Sequence, residues 1–180
     1  MEILLELLKY TVPALIVLLA TYMIVNKFLV TEMQRKQFAL FKETQNITLP
    51  LRLQAYERLV IFVERIHPRN LIPRIYVTGM TVRDLQQAVA FNIRTEFEHN
   101  LSQQVYVSRQ VWETVKGIKE QEMNMINIIA QQLNPEAPAK ELHARVIDYV
   151  MNTAETLPTD VALQLINDEC KRVLAAGPQA

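Results

Sequence analysis

Residues 11–25, TVPALIVLLATYMIV, run for fifteen positions without a charge near the start of a chain that is otherwise patterned for water. A helix that spans a bilayer needs about 20 apolar residues, so this stretch must borrow from both flanks. Upstream, Ile3, Leu4, Leu5, Leu7 and Leu8 extend it, and Glu6 and Lys9, at i and i+3, are placed to neutralise each other. Downstream, Lys27 can snorkel to the headgroups while Phe28, Leu29 and Val30 stay apolar. Pro13 lies near one end of the span, where a lost backbone hydrogen bond is easier to replace. The reading is a transmembrane anchor over residues 1–30. A cleaved signal peptide is the first rival, but its leading region should be basic and here carries Glu2 and Glu6. A helix buried in the protein's own core is the second.

Basic residues near the span are lopsided: Lys9 precedes it, and Lys27, Arg35, Lys36 and Lys42 follow. The N-terminus is therefore expected outside and the remaining domain in the cytoplasm. Lys9, Lys27, Arg35 and Lys36 are the expected lipid-facing groups. No Gly or Pro occurs between Ala14 and Leu49, so the helix is expected to continue as a stalk over 31–48, with Phe38, Leu40 and Phe41 as its docking point. Asn46, Thr48 and Pro50 read as its end, Thr48 capping a new helix that starts at Pro50.

The 180 residues leave roughly 150 beyond the anchor, one domain able to bury a core. Lys plus Arg and Asp plus Glu balance at 19 each, which argues against a nucleic-acid partner. Three glycines leave no material for a phosphate-cradling loop or a dinucleotide turn, so no cofactor is expected. The lone Cys170 makes no intrachain disulfide, and no neighbouring residue marks it as an activated thiolate.

After the stalk the pattern is all-α, a bundle of about five helices over 49–177 with a tail at 178–180. Residues 50–67 place Tyr56, Leu59, Val60, Phe62, Val63 and Ile66 on one face. Opposite lie Glu57, Arg58, Glu64 and Arg65, with Ile61 between the two pairs, which invites docking by a partner helix. The plain alternative is a solvated face with one stray aliphatic residue. Residues 68–80 hold two prolines and a glycine and read as a loop. With Arg52, Arg58, Arg65, Arg69 and Arg74, the region 52–74 is rich in arginine and free of lysine, a composition suited to anionic lipid.

Thr81 with Asp84 reads as a near capping box opening a helix to about Gln103, with Leu85, Ala88, Val89, Asn92, Ile93, Glu96 and His99 inward. Ser108 caps the next, to Leu133, with Val111, Trp112, Val115, Ile118, Ile126, Ile129 and Leu133 inward and Glu122 on the same side. Gly117 costs it about 1 kcal/mol against alanine. A fourth helix from Pro138 to Asn152 turns Leu142, Val146, Tyr149 and Val150 inward. The fifth carries Leu163, Ile166, Cys170, Val173 and Leu174 on one side, and Gly177 and Pro178 end it.

Two Glu-x-x-His pairs occur, Glu64 with His67 and Glu96 with His99, a spacing that in ferritin-like bundles presents two metal ligands on one face. Glu96, His99 and Glu122 are the weak metal candidates. Glu64 falls on the charged face, however, so the pairs do not converge. A hydrogen-bonded structural network of Asn92, Glu96, His99 and Glu122 is the preferred reading. His143 has no second ligand nearby and reads as a boundary residue. No hydrolase motif is present, and a triad assembled by folding is neither indicated nor excluded by spacing.

The segments LRLQAYERLVIFVERIHPRNLIPR (51–74), GMTVRDLQ (79–86) and EFEHNLSQQVYVSRQVW (96–112) resemble an uncharacterised family of small single-pass membrane proteins of Bacteroidota-type bacteria. The resemblance implies a bacterial inner-membrane location and carries no activity, cofactor or catalytic residue. The expected function is a non-enzymatic, membrane-tethered module that binds a protein partner in an inner-membrane assembly, through Phe38, Phe41, Glu57, Arg58, Ile61, Glu64 and Arg65. The alternatives are a membrane-bound enzyme or metal protein around Glu96, His99 and Glu122, and a sensor of anionic lipid surfaces. Homo-oligomerisation through the anchor stays open, without a Gly-x-x-x-Gly to argue it.

Overall fold

A computed structural model describes residues 2–152 and 157–175, with the backbone alone at 2–8, 10, 13 and 14. The proposed Glu6 to Lys9 pairing and the Gly177 and Pro178 stop lie outside the described side chains and residues. Helices account for almost all of what is described: α1 (Glu2–Ile66), α2 (Pro68–Ile75), α3 (Val82–His99), a 3-10 turn (Leu101–Val105), α4 (Arg109–Gln131), α5 (Ala139–Asn152) and α6 (Pro158–Ala175). Among the described residues, β-type pairing is limited to one bridge between Thr81 and Pro138. The chain divides within α1 into two units, Met1–Ile47 and Thr48–Ala180.

The first unit is a single helix, long and apolar enough in its described part to cross a membrane. None of that apolar window is buried. Every side chain from Leu15 to Val30 is exposed, as are Phe38, Leu40 and Phe41 farther on. Thr21 and Thr31 donate their hydroxyls back to the carbonyls of Val17 and Lys27, which satisfies them within the helix.

The expected break at residues 46–50 does not occur: the backbone stays helical through Pro50. A proline in a helix forfeits the hydrogen bond to the carbonyl four residues back, here that of the exposed Asn46, where solvent can replace it. The division into two units still falls two residues ahead of Pro50.

The second unit is a helical bundle around one core. Its C-terminal stretch of α1 buries Tyr56, Leu59, Phe62, Val63 and Ile66, the face that the 3.6-residue period marks. Residues 68–75, expected as loop, are helical. Pro68 occupies the first turn, where no N–H is required, and His67 caps the helix by accepting the Arg69 N–H at its Nδ1, 3.2 Å away. Burial of Leu71 and Ile72 holds this turn in place despite Pro73.

Gly79, at φ +97°, makes the tight turn that follows. Thr81 and Asp84 then form a full capping box: the Thr81 hydroxyl accepts the Asp84 N–H, and the Asp84 carboxylate accepts the Thr81 N–H. The remaining free donors of α3 are taken by the α4–α5 connection, Val82 N–H by the Ala137 carbonyl (2.8 Å) and Arg83 N–H by that of Pro135 (3.1 Å).

Aromatic packing completes the centre: Phe97 stacks on Trp112 at 5.4 Å, tilts against Phe62 at 5.9 Å, and carries the Lys119 ammonium 4.5 Å above its ring. Sequence periodicity had placed His99 inward here. Instead His99 is exposed, and Phe97 takes the place against the core. On α5 and α6 the inward assignments of Tyr149 and Leu174 are likewise corrected, for both are exposed, while Glu169 is buried on the inner stripe with Ala162 and Ile166.

Candidate functional site

Of the residues singled out for partner binding, Phe38, Phe41, Glu57, Arg58, Ile61, Glu64 and Arg65 are all exposed. Ile61 shows 46 % of its surface. Arg65, however, is already engaged: its guanidinium lies 2.6 Å from a Glu96 carboxylate oxygen, and Arg74 stands 3.7 Å from the same oxygen. Glu64 lends its main-chain carbonyl to the Asn70 amide at 2.9 Å. What stays available on this face is Ile61 with Glu57 and Arg58.

The arginine-rich region is likewise partly spent inside the fold. Arg52 donates to the Tyr106 carbonyl and the Tyr56 hydroxyl, both at 3.1 Å. With Arg65 and Arg74 on Glu96, Arg58 and Arg69 are left facing outward. Among the lipid-facing candidates, Lys9, Lys27, Arg35 and Lys36 are exposed, and Arg35 pairs loosely with Glu32 at 3.8 Å.

The set Asn92, Glu96, His99 and Glu122 is not drawn into one network. Glu96 belongs to the two arginines, Asn92 donates to the Ala88 carbonyl at 2.9 Å, and His99 faces solvent. Among the described residues no three His, Cys, Asp or Glu side chains are grouped as metal ligands. His67 of the other Glu-x-x-His pair is committed through Nδ1 to capping α2. Burial and the nearby Arg69 push its pKa down, so it is a neutral imidazole presenting an Nε2–H.

Two polar arrangements that periodicity does not reveal emerge instead. The first centres on Glu169 of α6. One of its carboxylate oxygens accepts the Tyr56 hydroxyl (2.7 Å) and the Ser108 N–H (2.9 Å), and the other accepts the Ser108 hydroxyl. Ser108 Oγ in turn accepts the Val111 N–H as the N-cap of α4. Burial raises the Glu169 pKa, but the hydrogen bonds from Ser108 and Tyr56 outweigh it and hold the carboxyl below its ordinary value. Burial and the Glu169 hydrogen bond push Tyr56 up to about 12. With donors and acceptors matched, this is a clamp joining α1, α4 and α6. Its legible sequence signal is the spacing of Glu169 three residues after Ile166 on the inner stripe of α6.

The second arrangement is unsatisfied. Glu122 of α4 is 7 % exposed and Thr159 of α6 is 1 % exposed, yet Glu122 Oε2 and Thr159 Oγ1 have no hydrogen-bond partner among the described residues. Both residues line a cleft of about 260 Å³ bordered by α4, α5 and the start of α6. Burial alone drives the Glu122 pKa from 4.5 to about 7. A carboxyl raised in this way stays bound to its proton in the folded state where the unfolded chain has lost it. Stability therefore falls as pH rises from 4.5 towards 7 and levels off above. Glu122→Gln is expected to remove that decline, gaining roughly 3 kcal/mol on the wild type at pH 8 and little at pH 4. Denaturant unfolding of both proteins across this range checks it, and parallel pH profiles would refute it.

The pattern of one protein family, described as a family of unknown function (DUF7935), matches residues 2–173. No curated protein and no solved structure matches the chain.

Proposed function

We propose that this chain, which belongs to the DUF7935 family of unknown function, is a membrane-tethered helical module that binds another protein. It would serve as a non-enzymatic accessory or scaffold subunit of a bacterial inner-membrane assembly. The observation that carries this reading is the apolar helix of the first unit, none of whose spanning window is buried. Leu15, Ile16, Val17, Leu18, Leu19, Tyr22, Met23 and Ile24 each expose half or more of their surface. An apolar surface this continuous needs a cover, and an apolar stretch of about 20 residues within the helix matches the hydrocarbon thickness of a bilayer. The excess of Lys and Arg after the span favours an outer N-terminus and a cytoplasmic bundle.

For the protein partner, the support is the Ile61 face. Ile61 stands exposed between Glu57 and Arg58 on one side and Glu64 on the other, an apolar centre with a charged rim. A photo-crosslinking amino acid in place of Ile61 tests this in native membranes. One dominant protein adduct is expected, weakened by Arg58→Glu with the bundle still folded.

A further inference from the structure

We propose that the cleft bordered by α4, α5 and α6 binds a small primary amine as its ammonium ion, with Glu122 and Thr159 accepting from the nitrogen and the apolar wall covering a short alkyl body.

Two observations are independent of each other. Glu122 and Thr159, from different helices, are each more than nine-tenths buried, Glu122 Oε2 and Thr159 Oγ1 each lack a hydrogen-bond partner among the described residues, and both residues line the same cleft. Orphaned buried acceptors are rare in folded proteins, because each forfeits its hydration without recompense. The chemistry of the remaining wall then selects the guest. Pro68, Met125, Ile128, Val150, Leu157 and Pro158 supply apolar surface. Among the described residues no Lys or Arg lines the cleft, so none of them balances a ligand's negative charge there.

An ammonium has three donors and no acceptor, which suits a carboxylate, a hydroxyl oxygen and a side-chain amide oxygen of Gln121 or Asn124. An anion would meet Glu122 uncompensated.

Among the described residues, the other titratable groups lining the cleft are His67, the N-cap of α2, which also feels Arg69, Asp160 and Glu64, and Tyr149 from α5. His67 is neutral with its pKa lowered, so it adds no competing charge near neutral pH. Because the free site holds Glu122 half-protonated near pH 7, taking up an ammonium must expel that proton. Amine affinity therefore rises with pH from about 5 to 8.

The test uses the full chain in detergent, titrated by calorimetry with n-butylammonium, its neutral isostere butan-1-ol, and butyrate. Saturable binding of butylammonium is expected, with butan-1-ol weaker by roughly tenfold or more, as for loss of a charge-assisted hydrogen bond, and butyrate absent. Glu122→Gln should weaken the amine by a similar factor and Thr159→Val by less. Proton release, read as a dependence of the heat on the buffer's ionisation enthalpy, should accompany binding to the wild type. Equal affinities for amine and alcohol, no saturable binding, or an affinity untouched by Glu122→Gln would each overturn the proposal. Should Glu122→Gln not fold, the pH dependence and Thr159→Val decide, and a flat wild-type affinity from pH 5 to 8 counts against it.

Discussion

Replacing Leu19 and Met23 together by arginine is expected to move the full chain from the membrane fraction to the soluble fraction. Both positions lie near the middle of the apolar stretch, and both side chains are exposed, so neither substitution removes packing from the bundle. An arginine at the centre of a spanning helix costs roughly 2.5–3.5 kcal/mol for insertion, which makes roughly 5–7 kcal/mol for the pair. Alkaline extraction reads the outcome: the wild type stays in the pellet and the double variant does not. A wild type that is itself extracted would mean that the helix lies on or beside the membrane, or is covered by protein. A double variant that stays in the pellet would show that contacts of the bundle hold the chain there.

The second large effect falls on Glu169. Glu169→Ala is expected to destabilise the bundle by roughly 3–5 kcal/mol, the range for losing two or three hydrogen bonds to a charged group at once. It removes the acceptor for the Tyr56 O–H, which keeps only the bond it accepts from Arg52, and for both the N–H and the hydroxyl of Ser108. For a chain of this size that is a fall in Tm of roughly 10 °C. Glu169→Gln keeps the shape and one good acceptor, so a loss of roughly 1–2 kcal/mol is expected.

The pH signature separates this carboxylate from Glu122. The Glu169 pKa is depressed in the fold, so its contribution is present above the unfolded value and is lost as pH falls through the folded one. Glu122 acts in the opposite sense, losing stability as pH rises from 4.5 to 7. Thermal melts of Glu169→Ala that match the wild type at neutral pH would remove the clamp from the account.

Helical faces were the most legible part of the chain. The stripes Leu59, Phe62, Val63 and Ile66, or Val111, Val115, Ile118 and Ile126, repeat at a period that only one buried helix face explains, and they are buried. Prolines were the least legible. Pro50 and Pro73 each carry a local penalty that favours a break, yet both sit inside helix, whereas Pro68 follows a real break and opens α2. At Pro73 the burial of Leu71 and Ile72 outweighs that penalty, a tertiary effect that local pattern does not contain.

The polar interior is less legible for a related reason. Glu96 falls on the inner side by periodicity, but the long side chains of Arg65 and Arg74 reach across to it. Periodicity puts Glu122 on the side of α4 where it is buried, while its cleft depends on how α5 and α6 begin and end around it. Thr159 carries no signal of its own, being one of several hydroxyls near a turn. Its burial is set by the packing of the first turn of α6.

The proposed presentation of the Ile61 face to another protein is tested most directly by crosslinking from position 61 in native membranes. One dominant adduct heavier than the protein itself is expected, weakened when Arg58 is reversed to Glu, and absent when the crosslinker stands at the exposed Glu113 instead. Recovery of only the uncrosslinked chain, or the same mixture of adducts from positions 61 and 113, would contradict it.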